Sequence, residues 1–404
     1  MDINPDIFGS LSVFELVHRV ETRRSGPFRF QIGLDEDALH LPYQRVVDAY
    51  ARFRTSPLAQ VANRLEPEVI ASSVFGTNTI EGGTLSEEET RLVLDLAPEA
   101  VAEEEQRRAL NIKAAYQLAL QAAARADWRM DVDLIRSVHA TITDGLTHPF
   151  NRPGEFRDNP KGIATHVGDA THGGRYKPPQ HGADIERLLA ELAAWHGRLV
   201  DRGVPALVRA PLVHYYFELI HPFWDGNGRV GRILEATLLL AAGFEYAPFT
   251  LSRFYLDQLD RYFTLFNTCR KAAGKGLASP NTPFVAFHLE GMLVGINRLQ
   301  DRVNGLVSRL LFEAEAIERY RSKELNARQF AILSQLLDRP ESMALADLRK
   351  APWYLALYAP LTDKTRQRDL KRLRELQLVE IDSDQRIRPR FTSRAAGSSP
   401  RRMR

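Results

Sequence analysis

Residues 221–232 concentrate reactive side chains in one short segment. The segment reads His221-Pro222-Phe223-Trp224-Asp225-Gly226-Asn227-Gly228-Arg229-Val230-Gly231-Arg232. Pro222, Gly226 and Gly228 disfavour a continuous helix, so we expect a tight loop whose last residues open the next helix. The first N–H groups of a helix have no partner within it, and with the positive end of the helix dipole they form a site for phosphate. The segment therefore predicts a phosphate site near Asn227 and Gly228.

Four side chains of the same segment suit chemistry on a polyphosphate. Arg229 and Arg232 are three residues apart, so both lie on one face of the first helical turn, where two guanidinium groups can bind phosphate oxygens. Asp225 offers a hard oxygen ligand for Mg²⁺. His221 can act as a general base toward an attacking hydroxyl, because histidine is the side chain that titrates near neutral pH. Each residue alone is more typical of an ordinary turn or surface, and the spacing by itself predicts only a phosphate site with a base.

The whole segment resembles the signature of the Fic family, His-x-Phe-x-Asp/Glu-Gly-Asn-Gly-Arg-x-x-Arg, and matches every fixed position. Its central residues differ from those of the Doc-type kinase branch, whose loop lacks the first glycine and carries lysine in place of the second. The resemblance implies a protein adenylyltransferase, which transfers AMP from ATP to a Ser, Thr or Tyr hydroxyl of a target protein, or of itself, and releases pyrophosphate. It implies a mainly α fold, a Fic-type helical bundle with a short β-hairpin flap.

The resemblance also implies a role for each residue of the segment. His221 would be the catalytic base, and Asp225 would hold Mg²⁺. The residues implied in binding the phosphates of ATP are Gly226, Asn227, Gly228, Arg229 and Arg232. The nucleotide base pocket lies outside the matched string, so the choice of nucleotide stays open.

The flap is expected between Ile163 and Tyr176, ahead of Pro178-Pro179. The preceding stretch Gly154-Glu155-Phe156-Arg157 is also similar to the family pattern. A different interpretation of this region is a metal site formed by three histidines, although no helical or Cys/His ligand spacing supports it. These histidines are His166, His172 and His181.

A second motif, Thr77-Asn78-Thr79-Ile80-Glu81-Gly82, resembles the inhibitory Ser/Thr-x-x-x-Glu-Gly/Asn sequence of some Fic proteins. A carboxylate placed beside Arg232 would bind the guanidinium that should hold the γ-phosphate, so ATP would bind with its α-phosphate out of line. Glu81 is therefore expected to inhibit the enzyme. In some relatives the same glutamate positions a water that removes AMP from the target, which leaves AMP removal as an alternative activity.

A chain of 404 residues predicts two or three structural units. The composition is that of a globular protein, and the single Cys269 excludes an intramolecular disulfide framework. The predicted organisation is an N-terminal helical region with the inhibitory helix (1–100), a Fic catalytic core (101–300), a linker helix (301–324), a winged helix-turn-helix domain (325–392) and a disordered tail (393–404). The helices predicted from apolar periodicity and capping signals include 41–53, 66–80, 101–125, 133–143, 184–199, 206–220, 230–242, 284–321, 327–337, 344–350 and 362–376.

The C-terminal segment is basic. Residues 325–404 carry 17 Lys and Arg against 9 Asp and Glu, and six of the basic residues lie on the predicted helix 362–376. Residues 378–388 alternate like a small hairpin, and a proline-flanked connection precedes the basic helix. This pattern resembles a winged helix-turn-helix domain, which could contact DNA or dock a protein. The rival function is therefore a DNA-binding regulator that uses the Fic core as a nucleotide sensor.

The first residues lack the pattern of a signal peptide, and no stretch is apolar enough to span a membrane. We expect a cytoplasmic protein without a membrane partner. Homodimers are common in the family, although no pattern in this sequence supports one. The target protein stays unidentified.

Overall fold

The computed structural model describes residues 17–55, 63–125, 127–339 and 342–391. These residues are mainly α-helical, as predicted, and they form two units that divide after Leu299. The described residues of the two predicted regions, 1–100 and 101–300, lie in the first unit as far as Leu299. The C-terminal part of the long helix predicted at 284–321 belongs to the second unit. The tail predicted at 393–404 lies outside the described residues.

The first unit opens with a β-hairpin that precedes the first predicted helix. β1 (His18–Glu21) pairs antiparallel with β2 (Pro27–Phe30). Phe30 is fully buried and stacks on Trp195, with 5.7 Å between the ring centroids. No helix or strand was predicted before residue 41, and the local sequence does not reveal this hairpin because tertiary packing decides the structure of four-residue strands.

In the described part of the first unit, ten α-helices follow this hairpin, and an eleventh begins there and continues into the second unit. They are α1 (Glu36–Thr55), α2 (Glu66–Ile80), α3 (Glu87–Leu94), α4 (Glu104–Ala123), α5 (Val132–Thr143), α6 (Gly182–Asp201), α7 (Ala206–Ile220), α8 (Asn227–Ala241), α9 (Leu251–Asp257), α10 (Leu259–Gly274) and α11 (Thr282–Arg321). Helix α3 begins with a capping box: the Ser86 hydroxyl accepts from the Glu89 N–H, and the Glu89 carboxylate accepts from the Ser86 N–H.

The central pair of helices, α7 and α8, pack along each other and are buried on nearly every side. Leu212 and Val213 of α7 and Ile233 and Leu234 of α8 are almost completely excluded from solvent. Helices that are apolar all round belong in the interior of a bundle. The loop that joins α7 to α8 is therefore anchored in the core at both ends.

The interval expected to hold the flap contains one antiparallel bridge, between Val167 and Tyr176. The two residues exchange N–H···O hydrogen bonds of 3.0 Å. Gly168, Gly173 and Gly174 within the bridged loop have positive φ angles, a conformation that suits glycine and bends the chain away from a regular strand. The flap is thus a bridged glycine loop, shorter in β structure than the predicted hairpin.

The second unit combines the end of α11 with four short helices and a three-stranded sheet. These elements are α12 (Ala327–Leu337), β3 (Met343–Ala344), α13 (Leu345–Lys350), α14 (Pro352–Tyr358), α15 (Asp363–Glu375), β4 (Val379–Ile381) and β5 (Arg386–Pro389). The sheet is antiparallel in the order β3-β5-β4, which confirms the predicted hairpin. The predicted proline-flanked connection is instead helix α14, because Pro352 occupies the first helical turn, where its missing N–H is tolerated.

Asp369 of α15 ties this second unit together. Its buried carboxylate accepts hydrogen bonds from Asn326, Arg328, Gln329 and the Tyr358 hydroxyl, at 2.9–3.0 Å. Burial opposes ionisation, but these donors outweigh it and lower the pKa of Asp369. In neither unit is any described helix long and apolar enough to cross a bilayer.

Candidate active site

His221 lies at the C-terminal end of α7 in a left-handed backbone conformation, with φ 50° and ψ 63°. Its N–H donates to the carbonyl of Phe217 at 2.8 Å, which closes the last turn of the helix. The loop ends at Gly226, which is also left-handed and immediately precedes α8. A histidine with positive φ is uncommon, so the surrounding structure must hold it in place.

Arg157 provides that support from the chain segment before the flap. Its Nε donates to the carbonyl of His221 at 2.7 Å, and its Nη2 donates to the carbonyl of Ile220 at 3.3 Å. The backbone N–H of Arg157 donates to Pro222. Burial lowers the pKa of Arg157 to about 10, so the group stays charged at neutral pH. The last carbonyls of a helix are the groups that a cation satisfies best.

The middle of the loop is fixed by two further buried side chains. Asn227 accepts from the Phe223 N–H and donates to the Phe223 carbonyl, both at 2.9 Å. His139 stacks on the Phe223 ring at 3.6 Å and lies 3.2 Å from the carbonyl of Asp225. Burial lowers the pKa of His139 to about 4, so its ring is neutral near pH 7. Because the Asn227 side chain binds the loop, only its backbone N–H is left to contact a phosphate.

The N-terminus of α8 is covered by a carboxylate of the same chain. Glu81 follows the last residue of α2, and its backbone carbonyl accepts from Arg108 at 3.3 Å. A Cβ atom added at Gly228 would collide with the Glu81 carboxylate, so this carboxylate lies directly against the first turn of α8. An anion in this position is favoured by the free N–H groups and by the helix dipole.

Arg232 lies one turn further along α8, is 2% exposed, and donates to three oxygens. The shortest contact, 2.7 Å, joins Nη2 to Oε1 of Glu81, and Nη2 also donates to the carbonyl of Thr77 at 3.3 Å. Nη1 donates to the Tyr262 hydroxyl at 3.4 Å. Burial lowers the pKa of Arg232, but Glu81 and Tyr262 together raise it by more, so the guanidinium is charged. Its strongest partner is therefore an acidic group that a phosphate could replace.

Arg229 and Asp225 face each other across the loop. Nη2 of Arg229 donates to Oδ2 of Asp225 at 2.7 Å. Burial raises the pKa of Asp225, and Arg229 lowers it by more, so this carboxyl is ionised. The prediction placed Arg229 on the outer phosphates and Asp225 on Mg²⁺, whereas in this structure the two residues form an ion pair.

Behind Arg232, a chain of buried polar contacts reaches Glu235. The Glu235 carboxylate contacts Nδ1 of His214 at 2.9 Å and Nδ1 of His288 at 2.8 Å, and it accepts from the Tyr255 hydroxyl. Burial raises the pKa of Glu235, but the two histidines outweigh it and hold the pKa well below its usual value. A buried carboxylate is stable only with such a complete set of partners.

His214 connects Glu235 to the site. With Nδ1 donating to Glu235, its Nε2 can accept from the Tyr262 hydroxyl, which lies 3.0 Å away. Tyr262 in turn accepts from Arg232. The donors and acceptors therefore alternate from Glu235 to the guanidinium, and this series of hydrogen bonds helps to fix Arg232.

These groups open into one cavity of about 280 Å³. Its lining includes Glu81, His221, Gly228 and Arg232, together with the bridged residues of the flap. Asn267 fixes the flap, because its Nδ2 donates to the carbonyls of His172 and Gly174. The complete lining of the cavity is Glu81, Val167, Gly168, Asp169, His172, Tyr176, Glu218, His221, Gly228, Arg232, Tyr262, Phe263, Phe266 and Asn267.

Residues 129–239, which contain the whole loop and most of α8, match the Fic/DOC family. Residues 129–239 therefore form a Fic domain. The match lies within the region predicted as the catalytic core, and it ends before the residues that complete the site from α10 and α11.

Curated relatives of this Fic domain are named protein adenylyltransferase Fic. Those of Drosophila ananassae and Drosophila virilis are each 28% identical to this chain over 225 residues, and that of Drosophila yakuba is 26% identical over 234 residues. The alignments cover 55% of this chain and 41–42% of each relative. The chain thus spans about two fifths of the length of the curated relatives it matches.

Two solved structures share the fold of the Fic domain. A Fic domain containing signaling protein from Bacteroides thetaiotaomicron aligns with a TM-score of 0.53 at 21% identity, over 65% of this chain and 97% of the other. A Fic family protein from Desulfovibrio desulfuricans aligns with a TM-score of 0.52 at 21% identity, over 87% of this chain and 95% of the other.

The structure brings together the predicted His221, Gly228 and Arg232 of the Fic domain and Glu81, which precedes the matched residues. Among the described residues, no group of three or more His, Cys, Asp or Glu side chains could hold a metal ion. The three-histidine interpretation thus finds no geometric support there: His172 contacts Asp169 and Asp260, and His181 lies near Asp158.

The sequence pattern did not indicate the residues that support the site from a distance. Glu235, His214, His288 and Tyr262 are separated by up to 74 positions and have no fixed spacing. One signal was available, because Glu235 interrupts the most apolar run of the chain, and a carboxylate inside an apolar run must have a partner.

Proposed function

We propose that the Fic domain is a protein adenylyltransferase that transfers AMP from ATP to a hydroxyl side chain of a target protein, or of the same chain. The observation that carries the proposal is the shared cavity of His221, the first turn of α8 and Arg232, next to the flap. A base, an anion site and a charged guanidinium are the groups that transfer of a nucleotidyl group requires.

In the proposed reaction, His221 takes the proton of the attacking hydroxyl while its oxygen bonds to the α-phosphorus. The bond from that phosphorus to the bridging oxygen of the β-phosphate breaks, and pyrophosphate leaves. The Nδ1 atom of His221 lies 3.5 Å from Oε2 of Glu218, and this carboxylate can stabilise the imidazolium that forms. The N–H groups at Asn227 and Gly228 would bind the α-phosphate, and Arg232 would bind the outer phosphates.

Asp225 is the residue of this site that fits Mg²⁺. Its carboxylate is ionised and 41% exposed, and phosphate oxygens would supply further ligands of the hard type that Mg²⁺ prefers. Bound Mg²⁺ would neutralise phosphate charge. Arg229, the partner of Asp225 in this structure, would then be available to the phosphates.

We further propose that Glu81 inhibits the reaction. Its carboxylate lies against the first turn of α8 and forms the shortest contact of Arg232. It therefore blocks the helix N-terminus and the guanidinium, the two groups proposed to bind the phosphates of ATP. A displacement of the reacting phosphorus by about 1 Å is enough to reduce the rate on the order of a hundredfold.

The proposal is tested by intact-mass spectrometry after incubation with Mg²⁺ and ATP. We expect Glu81→Gly to gain one AMP mass, roughly 329 Da, by attack at the α-phosphate, and Glu81→Gly/His221→Ala to gain none. Glu88→Gly, which removes an exposed carboxylate from the first turn of α3, is the matched control and should behave like the wild type. Equal labelling of all four proteins would refute the roles of Glu81 and His221.

AMP removal is the second activity to test, because Glu81 lies in the same cavity as His221, where it could position a water. Self-labelled Glu81→Gly protein is mixed with unlabelled wild type, and the adduct is followed with time. Loss of the adduct that requires wild-type Glu81 would assign AMP removal to the same site. A stable adduct would leave transfer as the single reaction.

A second candidate function, DNA binding, concerns the unit that starts at residue 300. Its basic helix α15 stands directly before a β-hairpin, as the winged helix-turn-helix prediction requires. Five of the six cations of α15 are exposed; these are Lys364, Arg368, Lys371, Arg372 and Arg374. Phosphate contacts give an affinity that falls steeply with salt. We expect Arg368→Glu/Lys371→Glu in the full chain to weaken duplex binding and to flatten its salt dependence. Salt-independent or absent binding by the wild type would favour protein docking.

A further inference from the structure

A second cavity, of about 540 Å³, shares Tyr176 with the active-site cavity and no other lining residue. We call it the flap groove. It is formed by the loop after β1 and the start of β2 (residues 22–28), by residues 159–163 and 176–181 on either side of the flap, and by Leu188, Leu219 and Arg270. Its volume lies within the range of ligand sites in proteins.

The flap groove is cationic. Arg24, Lys161, Lys177 and Arg270 line it, and no Asp or Glu does. Arg24, Lys161 and Lys177 are exposed and form no ion pair with any residue of the described ranges. The charge is local, because residues 1–324 carry more acidic than basic side chains. Unpaired cations around a concave surface attract an acidic ligand.

Two carboxylates, those of Asp184 and Asp158, accept hydrogen bonds from residues in or beside the walls of the flap groove. Asp184 accepts from the N–H groups of Arg23, Arg24 and Ser25 and from the Ser25 hydroxyl, at 2.8–3.0 Å. Burial opposes ionisation, yet these four donors lower the pKa of Asp184. Asp158 accepts from the N–H of Gly182 at 2.9 Å. These bonds fix the loop after β1 and the start of α6, so the walls of the groove are preorganised.

The lining also contains apolar side chains. Leu188 is fully buried, and Phe28 and Leu219 are half-buried. Nucleic acid is bound mainly through its phosphates along an extended basic surface. A groove lined by both apolar side chains and four cations fits a polypeptide better, because one apolar side chain can be buried while neighbouring carboxylates contact the cations.

Tyr176 connects this groove to the chemistry. Its backbone forms the flap bridge with Val167. The Arg270 guanidinium lies over its ring, 5.1 Å from the ring centroid. Arg270 also donates to Oδ1 of Asn267, the residue that binds the flap carbonyls. A polypeptide bound along the flap therefore passes from the active-site cavity to the groove at Tyr176.

We propose that the flap groove binds an acidic segment of the target protein next to the acceptor hydroxyl. This inference rests on the proposed function and defines its substrate class: a protein whose acceptor residue is flanked by Asp or Glu and one large apolar residue. The groove then contributes to target choice, and the groups around His221 contribute the chemistry.

The test uses the full chain and two short fluorescein-labelled peptides, one with Glu, Asp and Phe beside a central Thr, and one in which Gln and Asn replace the acids. Binding is measured by fluorescence anisotropy without ATP. We expect the wild type to prefer the acidic peptide, and Lys161→Glu/Lys177→Glu to weaken its binding by about tenfold or more. The matched control is Arg202→Glu/Lys275→Glu, which changes the net charge equally at two exposed residues outside the groove.

Three outcomes would overturn the inference: no preference of the wild type for the acidic peptide, equal weakening by the groove and control variants, or displacement of the peptide by a single-stranded oligonucleotide that binds more tightly. Peptide binding needs no AMP transfer, so it separates this inference from the proposed function. Failure of Glu81→Gly to self-label would refute the function even where the acidic peptide binds, and labelling without groove binding would refute the inference alone.

Discussion

His221 is the proposed base, and its backbone is in the left-handed conformation. A histidine in an isolated chain rarely adopts this conformation. Strain of this kind persists where neighbouring groups over-determine the geometry. Arg157 is a positioning residue in this sense, since it donates to the carbonyls of Ile220 and His221 and does not line the cavity proposed to bind the substrate. Single side chains remote from the chemistry thus decide where the imidazole lies.

We predict that Arg157→Gln in the Glu81→Gly background lowers the rate of self-labelling by about a hundredfold, because a small displacement of His221 suffices for such a loss. ATP affinity, measured by calorimetry with Mg²⁺, should change little, since Arg157 does not line the cavity. Arg157→Lys should recover part of the rate. Arg187→Gln, at an exposed position of α6, is the control. A loss of ATP affinity equal to the loss of rate would contradict the positioning role.

His139 makes the loop sensitive to acid. Its pKa is lowered by burial from 6.5 to about 4, so the unfolded chain takes up a proton that the folded chain refuses between these values. Stability is then full above pH 6.5 and falls as the pH drops toward 4, by on the order of 3 kcal/mol. We expect His139→Gln to have a shallower slope of stability against pH, measured by urea denaturation with hydrogen exchange in α5 and α8. The exposed His166→Gln should keep the wild-type slope.

At the scale of elements, α2 matters because its last turn delivers Glu81. Thr77 of α2 donates to the Ser252 hydroxyl of α9 at 2.7 Å, and both lie 3.2 Å from the Tyr116 hydroxyl of α4. Gly76 packs so closely on α9 that a Cβ would lie 2.8 Å from the backbone carbon of Ser252. The inhibitory carboxylate is therefore held by the packing of three helices.

We predict that Ser252→Ala partly releases the inhibition. Loss of a buried hydrogen bond is worth about 1 kcal/mol, which corresponds to an increase of about fivefold in self-labelling of the otherwise wild-type chain. In the Glu81→Gly background the same substitution should have no further effect, because the carboxylate is already gone. Thr268→Val removes an exposed hydroxyl from α10 and serves as the control. An equal increase in both backgrounds would contradict this account.

Elements with strong local signals could be predicted from sequence, and those fixed by remote contacts could not. The ranges predicted for α2, α7 and α12 coincide with the observed helices, because their apolar patterns and punctuating residues agree. Helix α14 was missed because Pro352 is typical of a breaker as well as of a first turn. The β1–β2 hairpin was missed because it is stabilised by Trp195, far along the chain.

The same distinction holds in the candidate site. Residues 221–232 form one contiguous string whose types imply the chemistry, and the inhibitory motif is also contiguous. The pairing of Arg229 with Asp225 could not be predicted, because both residues also suit the separate roles assigned to them. Arg157 and Glu235 act on the site through space, so no spacing in the sequence indicates their targets.

At the scale of the whole molecule, each unit has its own buried core. The core of the second unit contains Ile332, Leu333 and Leu373, and every proposed catalytic group lies in the first unit. A substitution in the core of the second unit therefore leaves the proposed catalytic groups in place unless the two cores unfold together.

We predict that Leu333→Ala destabilises the second unit by about 2–5 kcal/mol through the cavity it leaves. The rate of self-labelling in the Glu81→Gly background should stay within about twofold, since the catalytic groups are untouched. Hydrogen-exchange mass spectrometry should show faster exchange in α12 and α15 and unchanged exchange in α8. Loss of labelling together with faster exchange in α8 would show that the two cores unfold as one.

The contact between Glu81 and Arg232 can also be described as a ligand that is permanently tethered to its receptor. A tethered group competes at an effective concentration that dilution cannot lower, often in the millimolar range or above. On the proposed function, the apparent dissociation constant for ATP in productive alignment equals the intrinsic constant divided by the fraction of molecules in which Glu81 has left Arg232. The ratio of productive ATP affinities between Glu81→Gly and the wild type would thus measure how strongly the chain inhibits itself.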